Sequence, residues 1–497
     1  MKSIKYVVFS CAVLALLAVG CGKTEQAGSG NSMATTSSAE TIDTRIGELN
    51  FTHDFANGYP THATRKKLFN EMDFQRATQA YLWAIPIVSM AQWQWSFENT
   101  LGAQVGDIVY YPDHNSKLGI LTANTTTPYV TSFADLQKIG PLVIDIPEGQ
   151  VRGMLTNMWQ IEFSYINGAG KYLVHAPGTK APAVQGYKTV EATTNNFMFG
   201  LRLMSPDAAV RDKLLDAIKV YPYKDRANPR PTKVLRKGGE RLKGITVQPR
   251  GITYYERLAD ILNREVVDER DRFFHAMLQP LGIEKGKPFK PTASQKKILS
   301  QAALVGEAMA KANDFYNPRI KASIYREGSA WEIATTSPAN QRWKNYDALD
   351  GRAAWFYEAL TNGPAMNSQK PGWGQKYLAS YLDSDKDWLD GAQNYKLHVP
   401  ADVPAAAFWS LTVYDVSSRC PIDNKTKQAD RSSRMELLKN SDGSIDLYFG
   451  PEAPNGKEKN WVQTVKGKSW FPYFRLYSPT ERFFDQSWIL PDIEKIK

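Results

Sequence analysis

Two blocks of this chain share one texture and are held apart by another. From Ile108 to Met204, and again from Tyr395 onward, short runs of Val, Ile, Tyr, Thr and Phe are punctuated by Gly and Pro. Such runs read as strands ended by turns. Residues 142–147, 156–165, 171–175 and 196–204 form the first set. Residues 408–415, 445–450 and 470–477 form the second, with a tight turn at 440–444. Between the blocks, apolar residues recur at helical spacing. Strands grouped together, rather than alternating one by one with helices, exclude a doubly wound parallel sheet. The expected fold is mainly β with α: two antiparallel β-sandwich, jelly-roll-like domains joined by a helical segment. The expected boundaries are 50–205 for the first domain with its leading helix, 206–394 for the helical connection and 395–497 for the second domain.

The helices are legible individually. Residues 73–98 carry Ala77, Ala80, Tyr81, Ala84 and Val88 on one face, with Asp73 as the expected cap. Pro86 is expected to kink or break this helix. Further helices are expected over 205–218, 254–281 and 292–312, the last capped by Thr292.

The N-terminus has a different character. Lys2 and Lys5 precede an apolar run over 12–20 that closes on Cys21. A basic start, a short apolar core and small residues form an export signal. The run is shorter than the roughly 20 residues that span a bilayer. Small residues ahead of a cysteine resemble a bacterial lipobox, which implies lipidation of Cys21. The alternative is an ordinary signal cut near Gly20. Residues 22–49 read as a flexible tether, because 22–41 offer almost nothing to bury. Gly22 stands where inner-membrane lipoproteins usually carry Asp. The resemblance therefore implies an outer-membrane lipoprotein, facing the periplasm or the surface and held to the lipid bilayer through acylated Cys21.

The net charge of +10 is concentrated in Lys224, Arg226, Arg230, Lys233, Arg236, Lys237, Arg241, Lys243 and Arg250, against Asp225 and Glu240. This stretch reads as a solvated loop face or as a contact for an anionic polymer or lipid headgroups. Nucleic acid is excluded as a partner, since the chain is read as exported and no aromatic residues interleave the basic ones to stack bases. Of three cysteines, only Cys420 lies in the folded body, so no internal disulfide is expected.

No familiar catalytic spacing is present: neither His-Glu-x-x-His nor Gly-x-Ser-x-Gly, and no phosphate-binding loop. The six histidines show no ligand spacing. Two segments stand out. The first runs from Thr122 to Tyr129 and includes Asn124, Thr125 and Thr127, a density of hydroxyl and amide groups suited to a polar ligand. It serves equally as a turn that satisfies its own backbone. The second gathers Trp409, Tyr414, Arg419, Arg431, Trp461, Arg475, Tyr477 and Trp488. Aromatic faces with Arg forks suit sugars or acidic groups. Arg475 interrupts an otherwise aromatic strand. If buried, it needs a carboxylate partner, such as Asp415, Asp442 or Asp446, or a bound anion. The ligand-binding candidates are Asn124, Thr125, Thr127, Tyr129, Trp409, Arg475 and Tyr477.

Thr122-Ala-Asn-Thr-Thr-Thr-Pro-Tyr129, Gly140-Pro-Leu-Val-Ile-Asp-Ile-Pro147 and Gly170-Lys-Tyr-Leu173 resemble the bacterial domain-of-unknown-function family 1254. Phe408-Trp-Ser, Val413-Tyr-Asp415, Asn460-Trp461, Phe474-Arg-Leu-Tyr477 and Trp488-Ile-Leu-Pro-Asp492 resemble family 1214. The resemblance implies two β-sandwich domains joined by helices, often in homo-oligomers, and no settled reaction. Many relatives show Asp where this chain has Thr126, so a role for that Asp does not transfer. Three functions remain open. One is binding, with or without hydrolysis, of a polar envelope or extracellular compound such as a glycan. The others are a structural role in the envelope and a metal-dependent enzyme with dispersed His and Asp ligands. Neither cofactor nor catalytic residue is named by the sequence.

Overall fold

The computed structural model describes residues 38–496 apart from 206, 238–241, 243 and 244. The signal, Cys21, most of the tether, Arg241 and Lys243 lie outside the described residues. Two compact units are present, 1–68 and 69–497. In the first, Thr41–Ile42 pairs with Leu49–Asn50 in a small antiparallel ribbon. The second holds the four larger sheets and the cores described below.

In the first β region, a six-stranded sheet runs in the order 234–236, 108–111, 129–135, 196–203, 151–157 and 162–167. A four-stranded sheet runs 219–222, 142–146, 170–175 and 187–191. Ile108, Val130, Phe197 and Phe199 of the larger sheet share a core with Leu142, Ile144, Val174 and Val220 of the smaller. This is the sandwich expected from the first block. Expected strand 156–165 is in fact two strands, Val151–Asn157 and Glu162–Asn167, paired as a hairpin.

The second β region repeats the arrangement. A five-stranded sheet runs 331–333, 375–380, 470–479, 405–415 and 430–432, and a four-stranded sheet runs 461–463, 445–450, 394–399 and 494–496. Their shared core includes Trp331, Leu378, Leu411 and Phe474 from one sheet and Leu397, Leu447, Phe449 and Val462 from the other. Most pairings are antiparallel. Strand 234–236 joins 108–111 in parallel, as do 187–191 with 170–175 and 461–463 with 445–450.

Both regions reach into the expected helical connection. Strands 219–222 and 234–236 complete the first pair of sheets, and 331–333 and 375–380 complete the second. These are short strands whose partners lie far away in sequence, so local pattern does not mark them. The two regions are not separate bodies either, since 69–497 forms one unit.

A third core explains this. The outer face of each larger sheet is covered as well. Val109, Tyr111, Phe133 and Met198 from one, and Tyr377, Tyr414, Phe471 and Tyr473 from the other, pack with helical residues such as Trp83, Leu258, Leu299 and Phe356. Side chains alternate across a strand, so 470–479 sends Trp470, Phe474 and Leu476 into its sandwich and Phe471, Tyr473, Arg475 and Tyr477 to the other side. Strands covered on both faces lose the alternation of apolar and polar residues.

The helices supply the filling. His62–Asn99 begins earlier than expected and is not broken at Pro86. Ile85, Ile87 and Val88 around the proline are fully buried. Gln160 Nε2 donates to the Pro86 carbonyl at 2.8 Å. Apolar burial on both sides thus offsets the roughly 3 kcal/mol that an internal proline costs. The helix expected over 205–218 is Ala208–Ala217, capped by Asp207. The expected helix over 254–281 is divided into Ile252–Arg264 and Arg272–Leu278. Ala293–Asp314 matches its expectation, with Thr292 and Gln295 forming a reciprocal capping box.

Candidate functional site

The two segments singled out in the sequence meet. The loop ahead of strand Tyr129–Asp135 lies against the outer face of the five-stranded sheet. Arg475, 4% exposed, reaches out of that sheet. Its Nη1 donates to the Tyr414 hydroxyl at 2.6 Å and its Nη2 to the Thr122 carbonyl oxygen at 2.7 Å. Its guanidinium also lies 5.0–5.6 Å from the ring centres of Tyr473, Tyr377 and Tyr414. Asn124 donates its amide to the Tyr477 hydroxyl, and its backbone N–H donates to the Tyr129 hydroxyl at 2.7 Å. Thr126 donates to Asp430 Oδ2 at 2.9 Å. Thr122 takes a φ of +34° at this junction, a costly geometry for a β-branched residue.

Two further cations complete the seam. Lys117 is fully buried, and its Nζ donates to the carbonyls of Asn124 at 3.1 Å and Thr127 at 2.6 Å. Arg202, half-buried on strand Asn196–Leu203, donates to the Thr127 hydroxyl. Both cations lie over the Tyr129 ring, at 4.7 and 4.8 Å from its centre. Among the described residues, Lys117, Arg202 and Arg475 form no ion pair. Burial, reinforced by the charge of Arg202, pulls the Lys117 ammonium down to about 7. Asp430 acts on Lys117 in the opposite direction.

Register places hydroxyls beside these charges. Ser410 pairs with Arg475, Thr412 with Tyr473, and Ser432 with Ser410. Directly paired residues share a sheet face. Ser410, Thr412 and Ser432 are fully buried, and their hydroxyl oxygens have no hydrogen-bond partner. The Thr125 hydroxyl is likewise unpartnered. Buried polar groups are normally bonded, so unpaired hydroxyls beside unpaired cations set this seam apart from an ordinary packed interface.

On the far side of Tyr473 lies a carboxyl cluster. Glu358 Oε1 accepts from the hydroxyls of Tyr473 and Tyr381, the latter at 3.0 Å. Burial pushes Glu358 up to about 7 and Glu332 to about 8, and raises Asp314 well above the carboxylate range. Among the described residues, no group of three or more His, Cys, Asp or Glu side chains is placed to hold a metal ion. The dispersed-ligand metal reading therefore finds no ligand set here. His398 pairs with Asp446 at 2.8 Å, and His114 Nε2 meets the Ile422 carbonyl at 3.0 Å.

The structure sorts the expected residues. Asn124, Thr125, Thr127, Tyr129, Arg475 and Tyr477 come together. Trp409 does not. It faces the sandwich core, stacked on Phe474 at 5.3 Å, because it is one place out of phase with Ser410. Trp461 and Trp488 are spent on backbone carbonyls, and Arg419 on Gln248 and Tyr357. None of the three expected carboxylates reaches Arg475. Asp415 pairs with Lys468 at 2.5 Å, Asp446 with His398, and Asp442 holds Ser444. Lys117, Arg202, Tyr377, Ser410 and Thr412 were not anticipated. Arg202 had a signal, since it interrupts an apolar strand as Arg475 does.

Two family models match the chain. Residues 107–222 match the protein of unknown function DUF1254. Residues 374–481 match the protein of unknown function DUF1214. The seam thus joins the DUF1254 segment, through Lys117, Asn124, Tyr129 and Arg202, to the DUF1214 segment, through Tyr377, Arg475 and Tyr477. Among solved structures, the VPA0106 protein from Vibrio parahaemolyticus is similar at 16% identity and TM-score 0.52, covering 86% of this chain and 100% of that one. That likeness concerns the fold. An uncharacterised protein from Burkholderia cenocepacia aligns at 11% identity and TM-score 0.39, covering 87% of this chain and 96% of that one. No curated protein matches the chain.

Proposed function

We propose that this protein binds an anionic, hydroxyl-bearing compound, of the class of an acidic sugar or glycan unit, at the seam between its DUF1254 and DUF1214 segments. The observation that carries this reading is the set of three unpaired cations, Lys117, Arg202 and Arg475, two of them fully or almost fully buried. Buried charge is costly unless paired, and a bound carboxylate, sulfate or phosphate group would pair it. Arg forks favour planar oxyanions. The unpartnered hydroxyls of Thr125, Ser410, Thr412 and Ser432 suit a ligand with its own hydroxyl groups, and the tyrosine rings suit its apolar face. Binding is the activity so supported; hydrolysis gains nothing from this geometry. Within the same reading, the lipobox-like Cys21 would hold the site close to a membrane surface in the cell envelope.

The test is calorimetric titration of the purified chain with glucuronate, galacturonate, gluconate, their neutral parent sugars, acetate and inorganic phosphate. Hydroxylated acids should bind, neutral sugars should not, and Arg202→Met should lose the binding while keeping its melting temperature. Failure of every acid to titrate, or unchanged binding in Arg202→Met, would refute the reading in favour of a purely structural seam. The Asn124–Tyr477 and Thr126–Asp430 bonds already serve to join the two segments.

A further inference from the structure

A polar cavity lies away from the seam, with a volume of about 40 Å³. Its wall includes Trp159, Asp268, Arg270, Asp271, Gln341 and Arg352. Arg352 is 2% exposed. It sits on helix Leu349–Glu358, and its Nη2 donates to the Trp83 carbonyl at 3.1 Å. Its guanidinium lies 5.3 Å from the Trp159 ring centre. Its Nε–H has no partner, and it forms no ion pair among the described residues.

Gln341 supplies the complement. It is fully buried, with a φ of +59° that non-glycine residues seldom adopt. Its Nε2 donates to the Trp159 carbonyl at 2.7 Å, which fixes the amide orientation. Its Oε1 is consequently the free end, buried and without a partner. Asp271, also buried, accepts from Trp83 Nε1 through Oδ1 at 2.9 Å. The wall therefore sets Arg352 Nε–H, and the Nη2 of Arg270 that is ion-paired with Asp347 but makes no hydrogen bond, against one unsatisfied acceptor. Its formal charges, Arg270 and Arg352 against Asp268 and Asp271, cancel. A neutral guest with separated charges matches this better than a simple anion or cation.

We infer that this cavity is a binding site for a small zwitterion of the amino-acid class, glycine-sized, its carboxylate on Arg352 Nε–H and its ammonium on Gln341 Oε1 beside Asp271. Size limits the guest. One water needs about 10–15 Å³ on this measure, so the cavity holds roughly three waters' worth of guest. Glycine meets that limit and leucine exceeds it. The inference does not depend on the seam site.

Titration calorimetry of the full chain with glycine, leucine, acetate and methylamine decides it. Glycine should give a saturable heat. Leucine, acetate and methylamine, each lacking either the size or one of the charges, should give none. Gln341→Met should weaken glycine binding at least tenfold. Arg475→Met, which disables the seam, should leave the glycine heat unchanged. No saturable heat with glycine would mean that water alone fills the cavity and would overturn the inference. Equal heats from glycine and acetate, or loss of the glycine heat in Arg475→Met, would also overturn it, the last by placing glycine at the seam. The ligand comparison on the unaltered protein stands even if a variant fails to fold.

Discussion

Arg475 Nη2 and the Thr122 carbonyl oxygen are 2.7 Å apart across 353 positions of sequence, and this bond ties the DUF1214 strand to the DUF1254 loop. A backbone carbonyl satisfies the geometry of a guanidinium without neutralising it. The charge of Arg475 is therefore left for another partner, and the same holds for Lys117, which is bonded only to carbonyls.

Replacing Arg475 with Met should abolish acid binding at the seam while changing folding little. The lost bonds to Tyr414 and Thr122 are worth about 1.5–3 kcal/mol each. Removing an unpaired buried cation returns an energy of similar size. Urea unfolding should place the variant within about 2 kcal/mol of the parent. A much larger loss would mean that Arg475 serves the fold alone.

Acid binding should weaken as pH rises above about 7, by up to about tenfold per unit, as Lys117 loses its proton. The sign for stability is opposite. The unfolded chain keeps this proton up to its ordinary value of 10.5, whereas the folded chain releases it near 7. The unfolded state then binds more protons between these values, so stability from this group rises with pH there and falls as pH drops toward 7. Lys117→Met should flatten both profiles, measured by calorimetry and urea unfolding from pH 6 to 10.

Glu358 should behave in reverse. Its carboxyl is pushed up to about 7 by burial, so its contribution is present below about 4.5 and is lost as pH rises through 7. Glu358→Gln keeps an acceptor for Tyr473 and Tyr381 and removes the charge. The variant should be more stable than the parent at pH 8, by roughly 1–3 kcal/mol, and no more stable at pH 5. Equal melting curves at both values would show that Glu358 carries no such penalty.

Cys21→Ala should release the protein from membranes or leave it misprocessed, and should remove incorporation of a fatty-acid probe. Unchanged fractionation and labelling would sink the lipid anchor.

Much of this was legible in the chain. The two strand blocks, the Thr292 cap and the oddity of Arg475 all rest on local chemistry, which sequence displays directly. The seam itself rests on register. Nothing in Phe408-Trp409-Ser410 says which neighbour faces the site, and a shift of one residue exchanges Trp409 for Ser410. Pro86 does not break its helix, because local propensity yields to burial. Lys117 gave no signal, since a lysine is normally solvated and only the fold buries it.

The strand 470–479 has a dry side in each of two cores. Cut out as residues 374–481, it would put Phe471, Tyr473, Arg475 and Tyr477 into water, and strand 375–380 beside it would lose its own neighbour, 331–333. The segment matched at 374–481 is thus smaller than the pair of sheets it contributes to, which takes in 331–333 and 494–496. A fragment cut at those bounds would leave behind the helices that cover this face, His62–Asn99, Ile252–Arg264 and Ala293–Asp314.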